Sequence, residues 1–444
     1  MISSRSSTDV PVELNRTLRN RLGALRSAWP LPRTAAWLTY LGVLVFIGMA
    51  GGWSVRLCSD EYRFYLPAIR QFERALPSIL LADYDFPGPP VALVLQAIVY
   101  KLARESTLAI RFLSTLVAIF AAAVTERIYV RASPSRRTSL ALLMTACFPF
   151  LLSTTFLIRQ HAMTVAGLAL GYYLWASPAS HLTLLRSFGA CLALALATLS
   201  NQMAVPFCAL LAVWALRFSP TPEAPPARLR LLRVLAPAIP LAILATLMLR
   251  WRGAEPPSFR HSNPTDAGVG GVHPAQFLVG LMSLGVWVFP ALRHPRRSWG
   301  VALALWLPAS YLVQRSQMYL SSQDFEHSLS GPISTLIRHI GGSYAWMEPL
   351  VAGIPISFGA ALLLERDVET AWIVRGYAAL YLAMMSLTPY FFERYYLLLV
   401  VPLYWLLGKR IVLDRSFSPA AAAQPLIFLA GVAYTLSKLS ELTF

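Results

Sequence analysis

The feature that most constrains this chain is a series of apolar runs, 15 to 22 residues long, recurring from Ala36 almost to the end of the sequence. At a helical rise of about 1.5 Å per residue, such a run crosses the ~30 Å hydrocarbon layer of a bilayer. In that layer each backbone N–H and C=O must be satisfied within the segment, which an apolar run achieves by coiling into a helix. Charged residues make up only 13% of the sequence, about half the share of a soluble domain. The predicted fold class is therefore all-α: a polytopic transmembrane helical bundle of about 13 spans, with a large first non-cytoplasmic loop containing interfacial helices.

The predicted spans are 36–55, 108–130, 138–157, 162–177, 182–199, 203–217, 234–251, 276–292, 299–314, 346–364, 373–389, 395–408 and 420–438. The net charge of +17 comes from 35 Arg and three Lys against 21 acids, and its placement reports orientation rather than nucleic-acid binding. With the N-terminus inside, the cytoplasmic segments 1–35, 127–137, 177–186, 217–233, 293–297, 365–375 and 409–415 hold 23 Lys+Arg against eight acids, Glu126 at the edge included. The outward segments hold 15 against 13, the asymmetry that the positive-inside rule requires. Residues 1–35 read as a basic cytoplasmic tail, and the first apolar run as a retained signal anchor, since no small-residue cleavage site follows it.

The apolar stretch Pro89 to Ala103 is predicted as an interfacial or re-entrant helix, because a crossing there would put Arg127, Arg131, Arg136 and Arg137 outside. The Leu182 to Arg217 stretch is too long for one span and folds as a hairpin with Asn201 and Gln202 at its outer tip. The outer loops 56–107, 250–275 and 315–345 stand out by length. A proline-rich basic linker, 220–233, divides an N-terminal transmembrane module, 36–219, from a C-terminal one, 234–444. Cys58, Cys147, Cys191 and Cys208 have neither disulfide nor metal-cluster spacing.

The first outer loop carries the candidate chemistry. It opens with Asp60-Glu61 directly after the first span and later reads Asp83-Tyr84-Asp85. Carboxylates at the membrane surface can deprotonate a hydroxyl or bind a cation; read alone, they merely solvate the loop. The same outer face receives Arg111, Arg159, Gln160, His161, Asn201, Gln202, His261, His273, Glu393, Arg394 and Tyr395. A single arginine there is explained by snorkelling to head groups. Several arginines around an acidic centre match a phosphate-linked donor, which guanidinium groups hold by charge-assisted hydrogen bonds.

These residues resemble the GT-C membrane glycosyltransferases, which transfer a sugar from a polyprenyl-phosphate carrier. The resemblance lies in Asp60-Glu61 after the first span, in Asp85-x-x-x-Pro89-Pro90, similar to the Asp-x-His-Pro-Pro element of protein mannosyltransferases, and in Arg111-Phe112. Within that superfamily the chain is most similar to the dolichyl-phosphoglucose α-1,2-glucosyltransferase type, through Phe148-Pro149, Asn201-Gln202, the His273 to Phe277 stretch and Phe392 to Tyr395. That type has a histidine where this chain has Phe64 and Tyr65, and a basic residue where it has Leu199-Ser200. Sugar and acceptor therefore stay open. The resemblance implies a hexosyltransferase acting at the outer or lumenal face, with Asp60 and Glu61 catalytic. Arg111, Arg159, His161, Asn201, Gln202, His273, Arg394, Tyr395 and Asp85 would bind donor phosphate or substrate. The expected partners are the polyprenyl-phosphate-linked sugar, a lipid-linked glycan, lipid or protein acceptor, and membrane lipids, with no nucleic acid. A divalent cation at Asp83 and Asp85 is the weaker option, since two carboxylates alone make a poor hard-cation site. Arg-rich, Lys-poor usage points to a GC-rich bacterial genome, hence an inner-membrane enzyme with an undecaprenyl carrier, or an endoplasmic-reticulum one if eukaryotic. Two rivals stay open: a lipid-linked-sugar flippase or other transporter, which would hold charges near the bilayer midplane, and an O-antigen ligase or polymerase, which would show a longer late outer loop.

Overall fold

The computed structural model describes residues 33–58, 60–76, 83–132, 138–177, 183–217, 227–262, 273, 275–292, 296–316, 332–341, 346–365, 368–386, 393–411 and 419–443. The basic tail before Arg33, the Pro220 to Pro226 segment, Pro274 and most of the 315–345 loop lie outside these residues. Among the described residues every regular element is helical, and each predicted apolar segment coincides with a helix or a broken helix. Arg33–Gly52, Thr107–Ala132, Ala227–Trp251 and Ala422–Ser440 are long and apolar enough to cross a membrane. Thr138–Ala146 and Pro149–Thr155 add a span if counted together; they are bent by 61°. Pro149 lacks the N–H that a continuous helix would use there, so the chain breaks at Cys147-Phe148 and restarts with the proline in its first turn.

The remaining apolar helices, such as Leu184–Thr198 and Met347–Leu363, run 10 to 17 residues. Large apolar side chains including Leu38, Met49, Leu249, Leu303, Leu307 and Leu426 face outward. On a soluble protein such a surface would aggregate; against lipid it costs nothing. With at least four helices of crossing length, the chain is an integral membrane protein.

Close helix approach relies on small residues, as expected where lipid is as apolar as leucine. A Cβ on Gly285 would sit 1.7 Å from the Pro355 carbonyl oxygen, and one on Gly359 would sit 2.0 Å from that of Leu281. Buried aromatic hydroxyl and indole groups find carbonyl or hydroxyl partners across helices. Tyr404 donates to the Trp287 carbonyl at 2.7 Å, Trp175 to that of Arg233 at 2.9 Å, and Trp405 to the Thr125 hydroxyl at 3.2 Å. One core includes Tyr129 and Leu194 from before residue 218 and Trp287, Tyr381 and Trp405 from after it.

The Val91–Leu102 helix has 12 residues, about 18 Å of rise. Its first N–H, that of Val91, donates to the Leu199 carbonyl at 2.9 Å, which ties it to the 199–202 hairpin tip. Beside it, Leu95, Ile98, Phe120, Met163, Leu170 and Leu196 line an apolar groove.

Candidate active site

The first helix ends at Gly51, whose φ of 109° only glycine adopts readily, and the chain then runs into the short turn that presents Asp60. Asp60 and Glu61 are adjacent in sequence and opposite in setting: the Asp60 side chain is 26% exposed and that of Glu61 is fully buried.

Glu61 is saturated by protein partners. Its Oε2 accepts from the Cys58 N–H at 2.9 Å and from Arg111 Nη2 at 3.1 Å, while Oε1 accepts from the Ile158 N–H at 2.5 Å. Arg111 in turn donates through Nη1 to the carbonyls of Val55, at 2.5 Å, and Trp53, at 3.1 Å. Such added hydrogen bonds are what offsets the desolvation of a buried ion pair, with Arg111 Nε left without a partner among the described residues. The result is a strut joining the end of the first helix, the Asp60 turn, the Thr107–Ala132 helix and the 156–160 connector. Because Glu61 grips Ile158, it sets Arg159 beside Asp60.

Asp60 is where the cations converge. Its Oδ2 accepts from Arg159 Nη2 at 2.9 Å and from Arg394 Nη2 at 3.0 Å. Arg159 is buried, with Nη2 also 3.8 Å from the Cys58 sulfur, and its carbonyl accepts from Gln96 Nε2 at 3.3 Å. Among the described residues its Nε has no partner, and neither has His161 Nδ1 next to it. Arg394 lies on the Glu393–Tyr396 turn. Two tyrosines anchor that turn: Tyr381 donates to the Tyr395 carbonyl, and Tyr396 donates to Gln276 Oε1 at 2.6 Å. Burial alone would push the Asp60 carboxyl up; the charges of Arg394 and Arg159 outweigh it and hold the group below its ordinary value of 3.8.

The other predicted residues surround this centre or serve it from a distance. Asn201 Oδ1 caps the Met203 N–H at 3.0 Å, and Gln202 Nε2 donates to the Pro87 carbonyl at 3.3 Å. Gln202 and the Leu199 carbonyl hold the 87–91 segment, whose Gly88 lies against Gln160. His273 donates its N–H to the Ser386 carbonyl at 2.7 Å, and the Arg394 guanidinium lies 5.6 Å from the Tyr395 ring centre. Asp83 is drawn away: its two carboxylate oxygens accept from the N–H and hydroxyl of Ser258, at 2.8 and 2.6 Å. The Asp85 carboxyl is raised, by burial first and by Asp83 second. Among the described residues no group of three or more His, Cys, Asp or Glu side chains is arranged to hold a metal.

No family model and no curated protein matches the sequence. Two solved structures do. ArnT from Cupriavidus metallidurans bound to undecaprenyl phosphate matches with a TM-score of 0.43 at 13% identity, over 92% of this chain and 78% of that one. The same protein in the apo state matches with a TM-score of 0.40 at 14% identity, over 92% and 77%. Likeness at this level gives no residue a role.

Sequence reasoning did not single out Gln96, Gln160 or Cys58 as site residues. Gln96 carried a signal, as an amide inside the apolar 89–103 stretch; in a membrane environment such a group must find a partner. Gln160 carried one too, as an outer-face polar group between Arg159 and His161; Cys58 carried none.

Proposed function

We propose that this protein is an inverting glycosyltransferase, moving a hexose from a polyprenyl-phosphate carrier to an acceptor hydroxyl at the outer or lumenal membrane face. The observation that carries this reading is the convergence of Arg159 and Arg394 on one partly exposed carboxylate, Asp60. The 91–102 helix that donates to Arg159 also forms a wall of an apolar groove reaching Met163, two residues beyond His161. Cations beside an apolar groove suit a phosphate carried on a prenyl chain.

In this mechanism Asp60 takes the acceptor proton as the acceptor oxygen attacks the anomeric carbon. The bond from that carbon to the phosphate oxygen breaks, and the phosphate leaves with the electron pair. A phosphate is stable as an anion at neutral pH, so no general acid is needed, and one carboxylate suffices where glycoside hydrolysis uses two. Arg159 and Arg394 hold the phosphate, with His161 beside them. Glu61 and Arg111 act at one remove, fixing Asp60 and Arg159. Gln202 holds the 87–91 segment, Asn201 caps the turn that carries Gln202, and Tyr395 flanks Arg394.

The same reading takes the thirteen apolar segments as spans with the N-terminus in the cytoplasm. Contacts between distant segments support that parity. Asp60, Arg159 and Arg394, all assigned outward, meet one another. Inward-assigned ends meet inward-assigned ends: Arg33 with Glu126, and Arg410 with Glu365.

The test is transfer from a polyprenyl-phosphate-linked hexose by the full-length protein in liposomes. Asp60→Asn keeps the shape and loses the base, so turnover should fall by at least about 100-fold, the lower end of general-base contributions. Undiminished transfer by Asp60→Asn would remove Asp60 from the chemistry. No transfer by the wild type from any polyprenyl-phosphate hexose would remove the function itself.

A further inference from the structure

Arg159 and Arg394, the two guanidinium groups that the glycosyl-transfer reading assigns to phosphate, also hold the carboxylate that the reading makes the base. Both reach the same oxygen of Asp60, at 2.9 and 3.0 Å. A carboxylate and a phosphate are alternative anions for the same forked donors. From this geometry we propose that Asp60 and the donor phosphate compete for Arg159 and Arg394, so that donor binding draws the arginines off the carboxylate and frees it to act as the base. The inference rests on the glycosyl-transfer reading of the site.

Charge balance favours this exchange. Arg159, Arg394 and Asp60 by themselves sum to one positive charge, Arg159 is only 8% exposed at its side chain, and a poorly hydrated charge favours a second anion. A sugar phosphodiester carries one negative charge and cancels it. During transfer the proton moves from the acceptor hydroxyl to Asp60, and the bond broken at the anomeric carbon leaves its electron pair on phosphate. Asp60 becomes neutral, and the leaving phosphate monoester gains the second negative charge. With His161 neutral, the two arginines, Asp60 and the phosphate sum to zero before the step and to zero after it. The negative charge moves from carboxylate to phosphate, and the guanidinium groups follow it.

Among the described residues, the titratable and charged groups near Asp60 come from four segments. Cys58 precedes it, Tyr65 lies one turn further on, Arg159 and His161 approach from the connector and the helix it leads into, and Arg394 approaches from the Glu393–Tyr396 turn. Glu61 is turned away and spent on Arg111. With the arginines withdrawn, burial is the dominant remaining influence on the carboxyl, and burial raises its proton affinity. That is the direction general-base catalysis needs near neutral pH.

The experiment measures binding of undecaprenyl phosphate to the full-length protein in phosphatidylcholine nanodiscs, with inorganic phosphate titrated in parallel. Asp60→Asn removes the competing anion, so it should bind the lipid about tenfold more tightly than wild type while failing to transfer. Equal or weaker binding by an inactive Asp60→Asn would overturn the exchange and leave the base assignment standing. Inorganic phosphate binding as tightly as the lipid would overturn the assignment of these arginines to a lipid carrier. A second measurement uses only wild type: kcat reports the donor-bound enzyme and kcat/KM the free one. The acid limb of kcat should lie at least about one pH unit above that of kcat/KM, and coincident limbs would overturn the proposal. A wild type that neither binds undecaprenyl phosphate nor transfers sugar would instead be a failure of the glycosyl-transfer reading.

Discussion

Asp60 and Glu61 show how one step along the backbone separates two carboxylates chemically. Glu61 is enclosed and paired with Arg111, so Glu61→Gln leaves a buried guanidinium without its counter-charge. Breaking one side of such a pair costs about 3 to 5 kcal/mol, and thermal unfolding of the purified variant should show it as a clear fall in midpoint; an unchanged midpoint would mean the strut is dispensable. For Asp60 the sign runs the other way from a raised carboxyl. Its folded pKa lies below the ordinary 3.8, so its ion pairs contribute stability at all pH values above that point and lose it as pH falls through the folded pKa. The free enzyme therefore keeps Asp60 ionised, and kcat/KM should show no acid limb from this group between about pH 5 and 8. An acid limb near pH 6 in Asp60-dependent kcat/KM would contradict the arginine pairing. Arg394→Lys retains charge but loses the planar fork. Donor binding should weaken by about tenfold, the worth of one hydrogen bond to a charged group at ~1.5 kcal/mol. Unchanged donor affinity in this variant would return Arg394 to an ordinary head-group contact.

At the scale of elements, the break between Thr138–Ala146 and Pro149–Thr155 brings a helix from the far end of the chain against it. Gly431, within Pro419–Thr443, packs so close that a Cβ there would sit 1.7 Å from the Cys147 carbonyl oxygen. Gly431→Ala must push the two apart, at a cost of about 1 to 3 kcal/mol for overpacking. The thermal midpoint should fall while donor affinity stays within a factor of about two, because neither element supplies an Asp60 contact. A stable Gly431→Ala would show that the C-terminal helix is not seated at the break. The Val91–Leu102 helix was legible as a helical element from its apolar run. Its job was not legible, because that depends on Gln96 meeting Arg159, 63 residues away.

For the whole molecule, the proposed span map makes one testable demand: residues 220–226 and the site should lie on opposite faces. Accessible cysteine or protease-site reporters in Pro220 to Pro226 and in 320–330 should label from opposite sides of the membrane; labelling from one side would break the span map. What the sequence determined by itself is the set of helical segments. Apolar length fixes a helix locally, since within lipid each segment must satisfy its own backbone, and no partner need be known. Charge along the connectors gives an expected orientation by the same local logic. The sequence also pointed to Asp60, Arg159 and Arg394 as residues of one face. Only the tertiary structure decided that Arg159 and Arg394 close on Asp60 from positions 99 residues away and farther, while Arg111, equally conspicuous in the sequence, is spent on Glu61. Pairings between distant segments depend on how helices pack and which side of a turn faces inward, and neither is written in the residues that form the pair.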